Sequence, residues 1–356
     1  MRVGLIAPPW LPVPPPSYGG IEEVVDALAR GLTEAGHAVT LFTTGDSTCP
    51  VERRHIYPTA VRERLGWSVP ELYHVVSAYR DLEGCDIVHD HTVLGPLVAR
   101  DLDRLVVTTN HGPFTPEMNA IYRWIDEDVP IVAVSHHHAS GAEGVQVARV
   151  IHHGLDHGAY TPGQGEGGYA LFLGRMAPEK GVDRAIRIAR AAGLGLLIAA
   201  KLQEPSEIRY FREVVEPTLG DDAVYLGEVD RNTKRNLLPG AVALLNPIAW
   251  PEPFGLVMIE ALASGTPVVA FPRGSAPEIV EDGVNGFLRD DEDSLVEALR
   301  RVDEIDRGEV RRTFEERFTS ERMVREHIEL YEEVIGRQSR LAPAPLLEEE
   351  AALGAR

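Results

Sequence analysis

The chain has 356 residues, too many for one ordinary domain and suited to two of about 150 to 180. Its 35 basic and 55 acidic side chains leave a formal charge of −20, which argues against nucleic acid as a partner because phosphate binding needs a net basic face. With 44% apolar residues, two cysteines and no apolar run near the roughly 20 residues that cross a bilayer, it reads as cytoplasmic and globular, with neither a disulfide framework nor a four-sulfur zinc site.

Strand and helix signals alternate through the first half. Val3 to Ala7 is a short apolar run, broken by Pro8 and Pro9 too early for a secretory signal. A proline-rich stretch and Gly19-Gly20 follow. From Ile21, the positions Val24, Val25, Leu28 and Leu32 keep helical spacing until Gly36. Further strands are predicted at 37–43, 87–89, 105–109, 131–134 and 149–151, with helices at 70–82 and 116–126. Residues 156–168, with five glycines and no apolar periodicity, read as an interdomain linker.

A second alternating series has strands predicted at 170–173, 196–200, 223–226, 242–245 and 267–270. Its helices are predicted at 182–192, 204–215, 255–264, 295–302 and about 320–335. The tail 339–356, with Ala-Pro repeats and three consecutive glutamates, is expected to be flexible. Strands separated by helices imply α/β architecture with parallel sheets covered on both faces. The division expected is 1–160 and 161–319, two doubly wound Rossmann-like domains with a ligand in the cleft between them. Neither first strand is followed by Gly-x-Gly-x-x-Gly, and no Gly-Lys-Ser/Thr loop occurs, so dinucleotide oxidoreductase and P-loop readings are weak.

Two segments carry chemistry. In "LFLGRMAPEKGVD", a strand ends at Leu173, and Arg175 and Lys180 flank a loop that opens a helix at Gly181–Val182. Two cations and free helix-start amides suit a diphosphate, although a solvated basic pair beside Glu179 has the same spacing. Lysine occurs only at Lys180, Lys201 and Lys234 against 32 arginines, so each retained lysine merits a look. In "WPEPFGLVMIEALASG", Glu252 sits in a proline-flanked loop, Phe254-Gly255 opens an apolar helix, and Glu260 follows on that helix. The two carboxylates suit hydrogen bonds to two parts of one polar ligand. The alternative makes Glu252 a helix-dipole partner and Glu260 an exposed residue, but the apolar neighbours of Glu260 mean a carboxylate there needs a partner.

Glu-Pro-Phe-Gly followed by a second Glu, with Gly-Arg…Glu-Lys-Gly and the early Gly-Gly-x-Glu loop, resembles the retaining family 4 glycosyltransferases of GT-B fold. The resemblance runs from Arg2 to about Ile335. It implies a nucleotide-sugar donor in the second domain, with Arg175 and Lys180 holding the diphosphate, Glu252 on the sugar hydroxyls and Glu260 on the ribose. It places the backbone of Phe254, Gly255 and Leu256 along the sugar, Val229 near the base, Gly20 close to the phosphate and Glu22 in a structural role. It also implies a terminal helix, about 320–338, crossing back to complete the first domain. His111, in "TTNHGPF", matches the family's active-site histidine, with an implied hydrogen bond to a sugar hydroxyl; an isolated histidine would more simply be core or cap. GT-B enzymes typically use basic residues and helix amides where others use a cation, so no metal and no cofactor are expected.

Twelve of the thirteen histidines lie in residues 1–157, and "HDH" at His89–His91 and "HHH" at His136–His138 also have a zinc reading, which is disfavoured. The run Arg53 to Arg64 is the one basic cluster of the first half, readable as an anionic-lipid contact or a solvated face. The opening resembles UDP-glucose-dependent glucosyltransferases, which favours UDP-glucose over GDP-mannose. The acceptor, the linkage and the oligomeric state stay open, and a nucleotide-sugar-binding protein without turnover is the reading from another class.

Overall fold

A computed structural model describes residues 1–100, 102 and 104–341, with side chains to Arg337. The first sheet comprises β1 (Arg2–Ile6), β2 (Ala38–Thr43), β3 (Glu52–His55), β4 (Ile87–Asp90), β5 (Val106–Thr109), β6 (Ile131–Ala133) and β7 (Val147–Val150). All pairs are parallel, in the order β3-β2-β1-β4-β5-β6-β7. The second comprises β8 (Tyr169–Arg175), β9 (Gly195–Lys201), β10 (Ala223–Gly227), β11 (Ala243–Asn246), β12 (Val268–Ala270) and β13 (Gly286–Leu288). It is parallel in the order β10-β9-β8-β11-β12-β13. Central strands such as β1 and β8 are apolar almost throughout, because both faces are covered by helices.

In each sheet the chain winds one way from its first strand, then crosses to the other side: at β1/β4 and at β8/β11. Such switch points leave a crevice beyond the strands' carboxyl ends. The helix Gly20–Glu34 stands at the first crevice and Leu256–Ala263 at the second, and both enter the functional cleft.

The terminal helix Ser320–Leu341 does return to the first domain. Its Met323, Val324, Leu330, Tyr331 and Val334 share a core with Val24, Leu28 and Leu32. The crossing is fixed where Leu155 N–H donates to Phe318 O at 2.9 Å and Ser320 N–H donates to Leu155 O at 2.9 Å.

Several elements differ from expectation. The terminal helix continues past Ile335 to Leu341, and the tail from 342 lies outside the described residues. The basic run overlaps the edge strand β3, exposed along its length, which gives no alternating apolar signal. The helix Arg231–Gly240 carries Pro239 inside it, and Arg307–Arg317 is strongly polar; both escaped the periodicity reading. The predicted helix 204–215 divides into Pro205–Tyr210 and a wider turn, Phe211–Val215. Residues 156–168 are no free linker. Gly163 N–H donates to Ser264 O, Gly165 N–H to Pro239 O and Gly167 N–H to Gly240 O, so these glycines let the backbone lie directly on the second domain.

Candidate active site

The two crevices face one another across a cleft of about 970 Å³, including its open mouth. The first domain contributes Tyr18, Gly20, Glu23 and His111; the second contributes Lys180, Lys234, Glu252, Glu260 and the backbone turn Phe254 to Leu256. Val229 lines a smaller adjoining hollow with Ser17, Tyr18, Lys201 and Glu228. There Ser17 Oγ donates to Glu228 Oε1 at 2.6 Å, which ties the proline-rich loop of the first domain to the second.

Local geometry explains the Glu252 loop. Prolines 251 and 253 stiffen it, and Ser275 N–H donates to Glu252 O at 3.1 Å. Gly274, at φ +59°, comes so near that a Cβ there would lie 2.4 Å from both N and O of Glu252. Gly255, at φ +85°, turns the chain into the helix Leu256–Ala263, whose first-turn amides lack partners within the helix and point a partial positive charge at the cleft. The Glu252 carboxylate accepts from Lys180 Nζ and from Trp250 Nε1 at 2.8 Å, while the Lys180 ammonium lies 5.2 Å from the Trp250 ring centroid.

Glu260 is 3% exposed, so the reading of an exposed helix residue is overturned. Its carboxylate accepts from Lys234 Nζ and from Tyr160 Oη at 3.1 Å, which meets the need of a buried anion for donors. Lys234 is a site residue that no motif of the sequence marks. The signal was present nonetheless, for all three lysines of this arginine-rich chain lie at the cleft or its adjoining hollow. Arg175 is not among the residues lining the cleft; its guanidinium donates to Glu179 at 3.0 Å and to Glu207 at 3.3 Å.

Of the paired glutamates opening the first helix, Glu22 is buried, and burial pushes its carboxyl up to about 7. Glu23 instead lines the cleft and accepts from Arg231 at 2.6 Å, across the two domains.

His111 follows β5 and lines the cleft. Its Nε2 is 2.9 Å from His91 Nδ1, and its ring stacks on His153 at 5.3 Å between centroids. Burial among imidazoles lowers the His111 pKa to about 3, so the ring is neutral at physiological pH. His138 holds this loop, with Nε2 2.7 Å from Gly112 O while Nδ1 accepts Val134 N–H at 3.2 Å.

Two members of the histidine clusters, His138 and His89, have no ring nitrogen left for a metal. Both ring nitrogens of His138 are engaged, as are those of His89, with Tyr331 Oη at 2.7 Å and Thr109 Oγ1 at 2.8 Å. Among the described residues, His136, His152 and Glu278 bring possible ligand atoms within 4.8 Å of one another. The Glu278 carboxylate, however, already accepts the amides of His136 at 2.8 Å and His137 at 2.6 Å and binds His152 Nε2 at 2.8 Å. That arrangement is a cap joining the domains.

Comparison with known proteins agrees with this architecture. Residues 18–158 match the family described as Glycosyltransferase Family 4, and residues 162–319 match Glycosyl transferases group 1. The phosphatidyl-myo-inositol mannosyltransferase of Mycolicibacterium smegmatis is 26% identical over 349 residues, covering 86% of each chain. The D-inositol 3-phosphate glycosyltransferase of the same organism is 34% identical over 161 residues, covering 40% of this chain and 36% of that protein's length. The crystal structure of Anabaena HepE in complex with UDP-glucose superposes with a TM-score of 0.72 at 17% identity, over 94% of this chain and all of that one. Among the described residues, no helix is long and apolar enough to cross a membrane.

Proposed function

This chain belongs to the family 4 glycosyltransferases of GT-B fold and transfers a sugar; from that premise we propose that it is a retaining hexosyltransferase drawing on UDP-glucose, with no metal in the reaction. The observation that carries the reading is one cleft combining Lys180, Lys234 and the amino end of the helix Leu256–Ala263 with the carboxylates Glu252 and Glu260. Cations and amides match a diphosphate, and carboxylates match the hydroxyls of a sugar and a ribose.

In this reading Lys180 and Arg175 hold the diphosphate. Arg175 exchanges Glu179 or Glu207 for phosphate, and Lys234 supplies a further positive charge. Glu252 accepts from the hexose hydroxyls and Glu260 from the ribose. The backbone of Phe254, Gly255 and Leu256 lies along the sugar, Val229 borders the base, and Gly20 meets the phosphates. His111 hydrogen-bonds a sugar hydroxyl.

The anomeric carbon–oxygen bond breaks with its electron pair passing to the departing phosphate, whose growing charge the cations and amides stabilise. That phosphate oxygen takes the acceptor's proton while the acceptor oxygen bonds the anomeric carbon on the same face. The same cleft also suits GDP-mannose, a second reading favoured by the near full-length likeness to a mannosyltransferase.

A thermal-shift series with UDP-, GDP- and ADP-sugars tests the donor, since a ligand bound only by the folded state raises its stability. UDP-glucose is expected to give the largest rise. NMR of the product then reads the anomer; inversion would reject the same-face route.

A further inference from the structure

We infer that His91 is a positioning residue: its Nδ1–H donates to His111 Nε2, which fixes His111 in the tautomer whose Nδ1–H is presented as a donor. The consequence for turnover rests on the proposed contact between His111 and the donor sugar; the ring chemistry stands by itself.

Burial keeps both imidazoles unprotonated at pH 7, so each carries one N–H and one lone pair. The 2.9 Å contact between His91 Nδ1 and His111 Nε2 therefore runs in one of two directions. If His111 donated, His91 Nδ1 would be bare and its Nε2 would carry a proton. That Nε2 is buried and, among the described residues, has no partner. The nearest ring, His89 at 4.1 Å between centroids, has both nitrogens committed elsewhere. A buried N–H without an acceptor is costlier and rarer than a buried lone pair without a donor. The proton therefore sits on His91 Nδ1, and Nε2 keeps the unpartnered lone pair.

Once His111 Nε2 accepts, the only proton left to that ring is on Nδ1, for which the described residues offer no hydrogen-bond partner. His111 lines the cleft, so in the proposed donor complex its Nδ1–H is a fixed donor for a sugar hydroxyl oxygen, and its ring cannot take the acceptor's proton at Nδ1. This fits a reaction in which the leaving phosphate receives that proton.

The test uses the full-length protein labelled with 15N-histidine, with long-range proton–nitrogen correlation spectra at neutral pH. His111→Gln assigns the His111 signals. His111 is expected to show a protonated Nδ1 and a bare Nε2. His91→Leu should convert it wholly or partly to the other tautomer. His91→Asn, whose amide N–H replaces that of Nδ1, should preserve it and guards against a merely unfolded variant. With UDP-glucose hydrolysis as readout, His91→Leu should lower kcat about tenfold with KM within about twofold, and His91→Asn should restore most of it. A bare Nδ1 on His111, or a tautomer unmoved in a folded His91→Leu, overturns the inference. If UDP-glucose is not hydrolysed, the donor reading fails while the spectra still decide this one.

Discussion

Lys180 and Glu252 form an ion pair inside the cleft, and the Glu252 carboxylate takes a second hydrogen bond from Trp250 Nε1 at 2.8 Å. Seventy-two positions separate the lysine from the glutamate, yet each is the other's chief polar contact. On the proposed reading, a diphosphate at Lys180 competes with Glu252 for the ammonium and frees that carboxylate for sugar hydroxyls.

Lys180→Ala should therefore lower turnover about 10²- to 10³-fold, since the departing phosphate loses a cation in a site partly shielded from water. Initial rates of donor hydrolysis measure this, with circular dichroism showing the fold retained. Unchanged rates would remove Lys180 from the mechanism.

Lys234 and Glu260 should behave as one unit. Lys234→Met alone leaves the buried Glu260 carboxylate with only Tyr160, at a cost on the order of 3 kcal/mol. Adding Glu260→Gln should recover most of that loss, because no uncompensated charge remains. A double-mutant cycle in urea reads the coupling, and additive losses would contradict it.

Glu22 should make the protein less stable as pH rises. Burial lifts its folded pKa from 4.5 to about 7, so the folded state holds a proton that the unfolded chain releases. The favourable protonated state is complete below about 4.5 and is lost as pH rises to 7, a change on the order of 2–3 kcal/mol. Glu22→Gln should flatten that slope and raise the melting midpoint at pH 8 more than at pH 5. Parallel profiles would show that the carboxyl is not held neutral.

Glu278 works in the opposite sense. Burial alone would raise its pKa, but the bond with His152 and the amides of His137 and His136 outweigh this and hold it down to about 2. Its contribution is complete above about 4.5 and fades as pH falls towards 2. Glu278→Gln should cost about 1–3 kcal/mol at pH 7, with the difference from wild type shrinking on acidification. Denaturation midpoints across pH 3 to 7 check it, and a gap that widens in acid would refute the assignment.

Much of the fold was legible because its signals are local. Continuous apolar runs such as Val3 to Ala7, and helical spacing such as Val24, Val25, Leu28 and Leu32, report parallel strands buried on both faces and helices with one apolar side. The strand β3 and the helix Arg307–Arg317 were hidden because one lies exposed at a sheet edge and the other is mostly polar. The Glu-Pro-Phe-Gly turn likewise announced itself, since Gly255 and its flanking residues act over a few positions of chain.

What a linear string cannot carry is the partner of a charge. Sequence alone determined that Lys180, Glu252 and His111 stand at strand ends and helix starts, and that Glu260 lies on an apolar helix. Tertiary structure decided that Lys180 faces Glu252, that Lys234 rather than solvent answers Glu260, that Arg175 rests on Glu179 and Glu207, and that His111 leans on His91. Burying a charge or an imidazole requires a complementary group within about 3 Å, and which group comes that close depends on how separate strands and helices pack in space.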